Sequence, residues 1–267
     1  MTEVITSSQN ALIKLALSLK QKKYRDEAGS FIVEGVRLVE EFVRSAWSSQ
    51  TCIYTEQAVC NRRVQVILDA LTKRGCRMVT VPAAIYDKIS ETEQPQGIMV
   101  IAEKRIFKFD DVSADTKRPL LVILDRIQDP GNVGTIIRTA DAAGCTGVVL
   151  TKGCADLFAG KTVRASMGSL FHLPVFEGCN GAELVVTLKN KGITILATSL
   201  ESSEVYFQSN FNKPVAIVFG NEGSGVGAEI LRIADSRLHI PILGGAESLN
   251  VAVSAAVILY EAVRQRY

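Results

Sequence analysis

Long apolar runs are missing from this sequence: nothing in its 267 residues approaches the roughly 20 consecutive apolar positions that a membrane-spanning helix needs. The opening residues, MTEVITSSQN, also lack the charged-then-apolar pattern of an export signal, which predicts a cytoplasmic protein with no membrane partner. Histidine is nearly absent. With only His172 and His239, histidine-based zinc sites and most Ser-His or Cys-His nucleophile schemes have too few parts. None of the 6 cysteines falls in a CxxC, so reduced, mostly buried thiols are expected rather than disulfides or a cluster. The acids Asp125, Asp129 and Asp141 show no compact ligand spacing; helix caps or surface positions are expected for them, and no metal.

What is present is ordinary for a globular protein: 47% hydrophobic and 22% charged residues leave ample apolar area for a core, and the length suits two domains. The 30 basic and 28 acidic residues are unevenly placed. Residues 1–108 carry 16 Lys and Arg against 12 Asp and Glu, while 109–267 carry 14 against 16. The basic excess is sharpest at Lys14, Lys20, Lys22, Lys23 and Arg25, which precede Asp26 and enclose Tyr24. Two readings of that cluster stay open, phosphate contacts to a nucleic acid and a solvated helix face.

Apolar spacing at Leu12, Leu15, Ala16 and Leu19 predicts a helix, followed by a short strand at 31–35 and an amphipathic helix over 36–47. Extended segments at 52–54, 77–81 and 97–102, with a helical VQVILDALTKRG between the first two, complete a compact α/β unit over 1–105. Residues 106–118 are charged, weakly patterned and closed by Pro119, and read as a linker. From 119 to 267, apolar runs at 120–124, 147–150, 193–197 and 215–219 alternate with helical segments around 132–143, 181–191 and 249–264. That rhythm predicts a parallel sheet covered on both faces. The last helix is apolar nearly all round from Leu249 to Val263, which fits either a subunit interface or a central packed helix in a monomer.

Two glycine motifs fail inspection. GKT at 160–162 lacks the P-loop's first glycine, since Ala155 stands there, and GNEGSGVG at 220–227 is not a GxGxxG dinucleotide fingerprint. Three other segments follow predicted strands, where open α/β sheets bind ligands. In DRIQDPGNVGTIIRTADAAG (125–144), Pro130-Gly131 turns the chain, Asn132 is placed to cap a helix, and Arg138 lies within it. In VAIVFGNEGSGV (215–226), Gly220, Gly223, Ser224 and Gly225 permit close backbone approach to a ligand, and Glu222 offers an acceptor. In HIPILGGAESLNVAVSAA (239–256), a glycine turn leads to Ser248 at a helix start with Asn250 behind it.

In this order and spacing, NVGTIIRTADAAG, FGNEGSGV and IPILGGAESLNVAVSAA resemble the three motifs of the SpoU (TrmH-type) branch of the SPOUT RNA ribose methyltransferases. CADLFAGKTVRASMGSLFHLPV (154–175) resembles the segment between the first two motifs, and the opening SSQNALIKLALSLKQKKYRDEAGSFIVEG resembles the family's substrate-binding module. The resemblance implies a small ribosomal-protein-like α/β domain followed by a SPOUT parallel-sheet domain with a C-terminal trefoil knot. It implies S-adenosylmethionine as cofactor, held by Thr198, Ser199, Leu200, Gly220, Ile240 and Leu249, although for Ile240 and Leu249 taken singly the residues themselves favour simple core packing. Arg138 matches the family's catalytic arginine, and Asn132, Glu222, Ser248 and Asn250 match its other polar site residues. One departure is Ala252, where many relatives carry a serine.

The implied reaction is methyl transfer to a ribose 2′-hydroxyl, in a homodimer joined through the C-terminal domain, with ribosomal RNA favoured by the added module. Lys14, Lys20, Lys22, Lys23 and Arg25 are then its RNA-binding candidates. Other classes are a tRNA ribose methyltransferase, a non-catalytic RNA-binding or ribosome-assembly protein of the same fold, and an enzyme using the glycine loops for a nucleotide.

Overall fold

The computed structural model describes residues 2–107, 117–202 and 204–267. Residues 108–116, most of the linker expected at 106–118, lie outside the described residues. The chain divides into two compact units, Met1–Arg105 with Phe158–Phe171 and Ile106–Leu157 with His172–Tyr267.

The first unit opens with β1 (Glu3–Val4), α1 (Ala11–Ser18), α2 (Lys22–Ala28), β2 (Ser30–Glu34) and α3 (Val36–Arg44). It continues through β3 (Ser49–Tyr54), α4 (Arg62–Lys73), β4 (Arg77–Thr80), α5 (Ala83–Ile89) and β5 (Ile98–Glu103). Asn10 caps α1, accepting from the Leu12 amide at 2.8 Å. The helix then buries Leu12, Ile13 and Ala16 in a core with Ile53, Val79 and Met99. The single helix expected at 12–19 is followed by a second one, α2, because the chain turns at Leu19 and closes again at Gly29, whose φ of 59° suits glycine. The sheet has the order β1-β4-β3-β5-β2; β4 is parallel to its neighbours, whereas β5 runs antiparallel to β2 and β3.

In the second unit β6 (Leu120–Asp125), α6 (Pro130–Ala142) and β7 (Gly147–Thr151) come first. The chain then contributes α7 (Gly160–Ala165) to the first unit, where the Phe158 ring lies 4.8 Å from Phe31 and the Phe171 ring 5.5 Å from Trp47. Apolar spacing in 154–175 reports that these residues are buried; it does not report in which core. The second unit resumes with β8 (Val175–Cys179), α8 (Gly181–Asn190), β9 (Thr194–Thr198) and β10 (Glu204–Val205). It ends with β11 (Val215–Gly220), α9 (Ala228–Ile233), β12 (Ser236–His239) and α10 (Val251–Arg266).

Its sheet, β10-β12-β9-β11-β6-β7-β8, is parallel at every junction among the described residues. β6 and β11 are buried along their whole length, as continuous apolar runs require of central parallel strands. Their register sets Gly220 beside Asp125, so the loops leaving both strands start side by side. α10 packs on α6 and buries Ala252, Ala255, Ile258, Leu259 and Ala262. It is not covered all round: Val253 and Tyr260 are about half exposed.

All six cysteines are free, with Cys52, Cys76 and Cys145 buried, and burial pushes the Cys145 thiol up to about 12. Among the described residues no helix is long and apolar enough to cross a membrane. No group of three His, Cys, Asp or Glu side chains among them is placed to hold a metal.

Candidate functional site

Of the two residues expected as caps near the start of α6, Asp129 and Asn132, the structure uses the first. The cap is Asp129, whose side chain accepts from the Asn132 amide at 2.9 Å, and Pro130 occupies the first turn where its missing N–H costs nothing. Asn132 therefore lies inside the helix with its side-chain amide free to reach elsewhere. Asn250, not Ser248, caps α10, accepting from the Ala252 and Val253 amides at 2.9 and 3.3 Å. Asp125 is also not at the surface. It is 4% exposed, as an aspartate ending a buried strand can be when its oxygens are fully bonded.

These caps fix the direction of a hydrogen-bonded relay. With its oxygen committed to α10, Asn250 donates through Nδ2 to Asn132 Oδ1 at 3.0 Å, and Asn132 donates through Nδ2 to Glu222 Oε1 at 2.9 Å. The Gln128 and Asp129 amides donate to the same carboxylate at 3.1 and 3.2 Å. Partial burial works against the charge on Glu222, but the bond from Asn132, its own backbone and these amides outweigh burial and hold the carboxyl below the usual range. The network is therefore complete above the ordinary glutamate titration range and is lost as pH falls through that lowered value.

The loop carrying Glu222 is built by Asn221, which sequence reasoning passed over. Its Oδ1 accepts from the Gly223 and Ser224 amides, both at 3.0 Å, and its backbone pairs with Gly225, whose φ is 67°. The signal was an asparagine two residues before a glycine, the pattern of an Asx turn. Gly220 is required for the chain's approach to itself rather than to a ligand. A Cβ there would lie 2.0 Å from the Val226 nitrogen and 2.1 Å from the Gly225 carbonyl carbon.

Beside this network opens a cleft of about 580 Å³, within the roughly 300–1,000 Å³ typical of sites for drug-sized molecules. Thr198, Ser199, Leu200, Gly220, Ile240 and Leu249 all line it, although they come from three separate strand ends and the segment before α10. Glu222, Ser248 and Asn250 line it as well. Ser248 is exposed and has no hydrogen-bond partner among the described residues. Arg138 stands apart: it is exposed on α6, outside the cleft lining, and no hydrogen bond or ion pair among the described residues engages it.

The basic cluster of the first unit divides. Arg25 is 4% exposed and donates to the Leu19 carbonyl at 2.7 Å. Lys20 donates to the carbonyls of Lys88 and Ser90 at 3.1 and 2.8 Å. Lys14, Lys22 and Lys23 remain exposed, with Lys23 over the Tyr24 ring.

Residues 119–260 match the SpoU rRNA Methylase family, and residues 10–100 match the MRM3-like substrate binding domain. The chain is 38% identical over 256 residues to the 23S rRNA (guanosine(2553)-2'-O)-methyltransferase RlmP of Bacillus subtilis, covering 96% of this chain and 97% of that protein. It is 31% identical over 269 residues to the 23S rRNA (uridine(2479)-2'-O)-methyltransferase of Streptomyces viridochromogenes, covering 98% and 92%. Among solved structures, the AdoMet-bound rRNA methyltransferase from Sinorhizobium meliloti superimposes with a TM-score of 0.88 at 34% identity, covering 98% of each chain.

Proposed function

The chain belongs to the SpoU rRNA Methylase family, and from that premise we propose that it is an S-adenosylmethionine-dependent methyltransferase acting on a ribose 2′-hydroxyl of ribosomal RNA. The observation that carries this reading is the cleft at the ends of β9, β11 and β12, joined to the relay of Asn250, Asn132 and Glu222. The residues fit the cofactor. The volume suits a nucleoside with an amino-acid tail, and strand ends, glycines and the Thr198 and Ser199 side chains offer mixed polar and apolar walls. When bound, S-adenosylmethionine supplies an electrophilic methyl group.

The chain's own residues supply orientation and charge. A ribose hydroxyl is a weak nucleophile, so the site must hold its oxygen in line and offset the negative charge that grows on it. Arg138 is the group for that task. A guanidinium with a pKa above about 12 is a poor general base, so Arg138 acts chiefly by holding the target phosphate or hydroxyl. With no ion pair to any of the described residues, its donors are available to RNA. Asn132, Glu222 and Asn250 tie the loops of the cleft together, and Ser248 presents a hydroxyl on the cleft wall that is unpartnered among the described residues. The half-exposed Val253 and Tyr260 on α10 support pairing of two chains through the second unit.

A tritiated methyl-transfer assay on unmodified rRNA tests the reading, beside calorimetry with S-adenosylmethionine, ATP and NAD. Incorporation of label into alkali-resistant dinucleotides, with the sulfonium ligand preferred, is the expected result. No incorporation alongside tight RNA binding assigns the chain to the non-catalytic class, and preference for either nucleotide overturns the cofactor assignment. The two relatives act on a guanosine and a uridine, so the target base is read by mapping ribose methylations in a deletion strain against its parent.

The exposed lysines of the first unit give a second expected outcome. Replacing Lys14, Lys22 and Lys23 with alanine should weaken RNA binding and reduce the slope of its salt dependence by about one for each phosphate left without its lysine. Titrations at several salt concentrations measure both. An unchanged slope returns the cluster to a solvated helix face.

A further inference from the structure

We propose that Asp125 is a positioning residue for methyl transfer: buried at the end of β6, its carboxylate ties the loop that carries Glu222 to the loop that carries Asn132. The role rests on the reaction assigned above and adds a residue to it. Asp125 Oδ1 accepts from the Thr151 hydroxyl at 3.1 Å. Its Oδ2 accepts from the Gly227 amide at 2.8 Å and from Arg126 Nη2 and Nε at 3.1 and 3.3 Å. One buried carboxylate therefore grips the far end of the glycine loop and the first residue of the loop leading to α6.

The backbone at Arg126 makes that grip consequential. Its φ of 58° lies in the left-handed region that a side chain bearing a Cβ seldom adopts. Two bonds hold it there, from its amide to the Thr151 hydroxyl at 3.1 Å and from Asn221 Nδ2 to its carbonyl at 2.8 Å. The turn precedes Gln128 and Asp129, whose amides hold Glu222. Asp125, Arg126, Thr151 and Asn221 thus close a ring of bonds around the base of both loops. None of the four takes part in the relay itself; their effect on the reaction passes through the orientation of Glu222.

Asp125→Asn keeps the shape but turns one acceptor into a donor and leaves the remaining oxygen uncharged. With rRNA as substrate, it should lower kcat about 10- to 100-fold, the scale of a lost charge-assisted bond, and move KM less than about threefold. Combined with Glu222→Gln it should be no slower than Glu222→Gln alone, because both remove the same orientation. Thr151→Val should show the same loss and Thr151→Ser should restore activity, which keeps the test alive where Asp125→Asn fails to fold. Amide exchange supplies a readout independent of turnover: Gln128, Asp129 and Gly227 should exchange faster in Asp125→Asn and Thr151→Val at unchanged global melting. Multiplicative losses in the double variant, or unchanged exchange at Gln128 and Asp129, overturn the proposal. A wild-type chain that transfers no methyl to rRNA overturns the functional reading instead, and the exchange data then still decide whether Asp125 ties the loops.

Discussion

Arg138→Ala should lower kcat by about two to three orders of magnitude while the dissociation constant for S-adenosylmethionine stays within about twofold. The split follows from where the side chain stands. Arg138 is exposed on α6 and lines no part of the cleft, so removing it takes nothing from the cofactor's walls. It engages no partner among the described residues, so the fold loses no bond with it and the melting temperature should hold. What it offers is five donors aimed outward, usable once an anionic RNA backbone arrives. Arg138→Lys should recover little, because an ammonium lacks the planar fork that grips a phosphate or hydroxyl in two places. Single-turnover methyl transfer and calorimetry on the same preparations make the comparison. Parallel losses in turnover, cofactor affinity and melting would mark Arg138 as structural.

Gly220→Ala should do the opposite, abolishing cofactor binding and destabilising the second unit by about 3 kcal/mol or more. The added methyl would meet backbone rather than a side-chain tip, with the Val226 nitrogen at 2.0 Å, the Gly225 carbonyl carbon at 2.1 Å and its oxygen at 2.5 Å. No rotamer change relieves that overlap. Either β11 leaves its register with β6, or the 221–225 turn opens and carries Glu222 away from Asn132. Gly223→Ala is the stability control, since its Cβ would find only Asn221 Oδ1 at 3.6 Å, an ordinary contact. Urea unfolding and cofactor titration of both variants measure the difference. Equal stability of the two would show that the turn has slack that its bonding pattern does not suggest.

The contrast between these residues explains how far the sequence could be read. Gly220 and Glu222 stood out because a buried apolar run ends beside them, and strand ends are where parallel sheets place ligands; Asn250 stood out at the start of the last helix, after a glycine turn. The six cofactor candidates from Thr198 to Leu249 were named through motif resemblance, and the fold brings them to one cleft wall. Asp125 was assigned to a cap or the surface because an aspartate after LLVIL looks like a strand-end surface residue until Thr151 and Gly227 are placed against it. Arg25 misled in the reverse sense: it sits in a run of cations, but its guanidinium serves the Leu19 carbonyl. In each case the partner is distant in sequence or depends on a turn, and side-chain type alone does not name it.

Periodicity and punctuation by themselves determined the α/β class, the parallel sheet of the second half and the strand ends that carry the site. These follow from local rules, because burial of a strand or helix face leaves its period in the chain. Tertiary structure alone decided that Phe158 and Phe171 complete the aromatic core of the first unit, which of the two expected caps, Asp129 and Asn132, begins α6, and that Asp125 binds two loops together. Those outcomes rest on which buried donor meets which acceptor across the fold, and hydrogen-bond pairing over long separations leaves no periodic trace in a sequence.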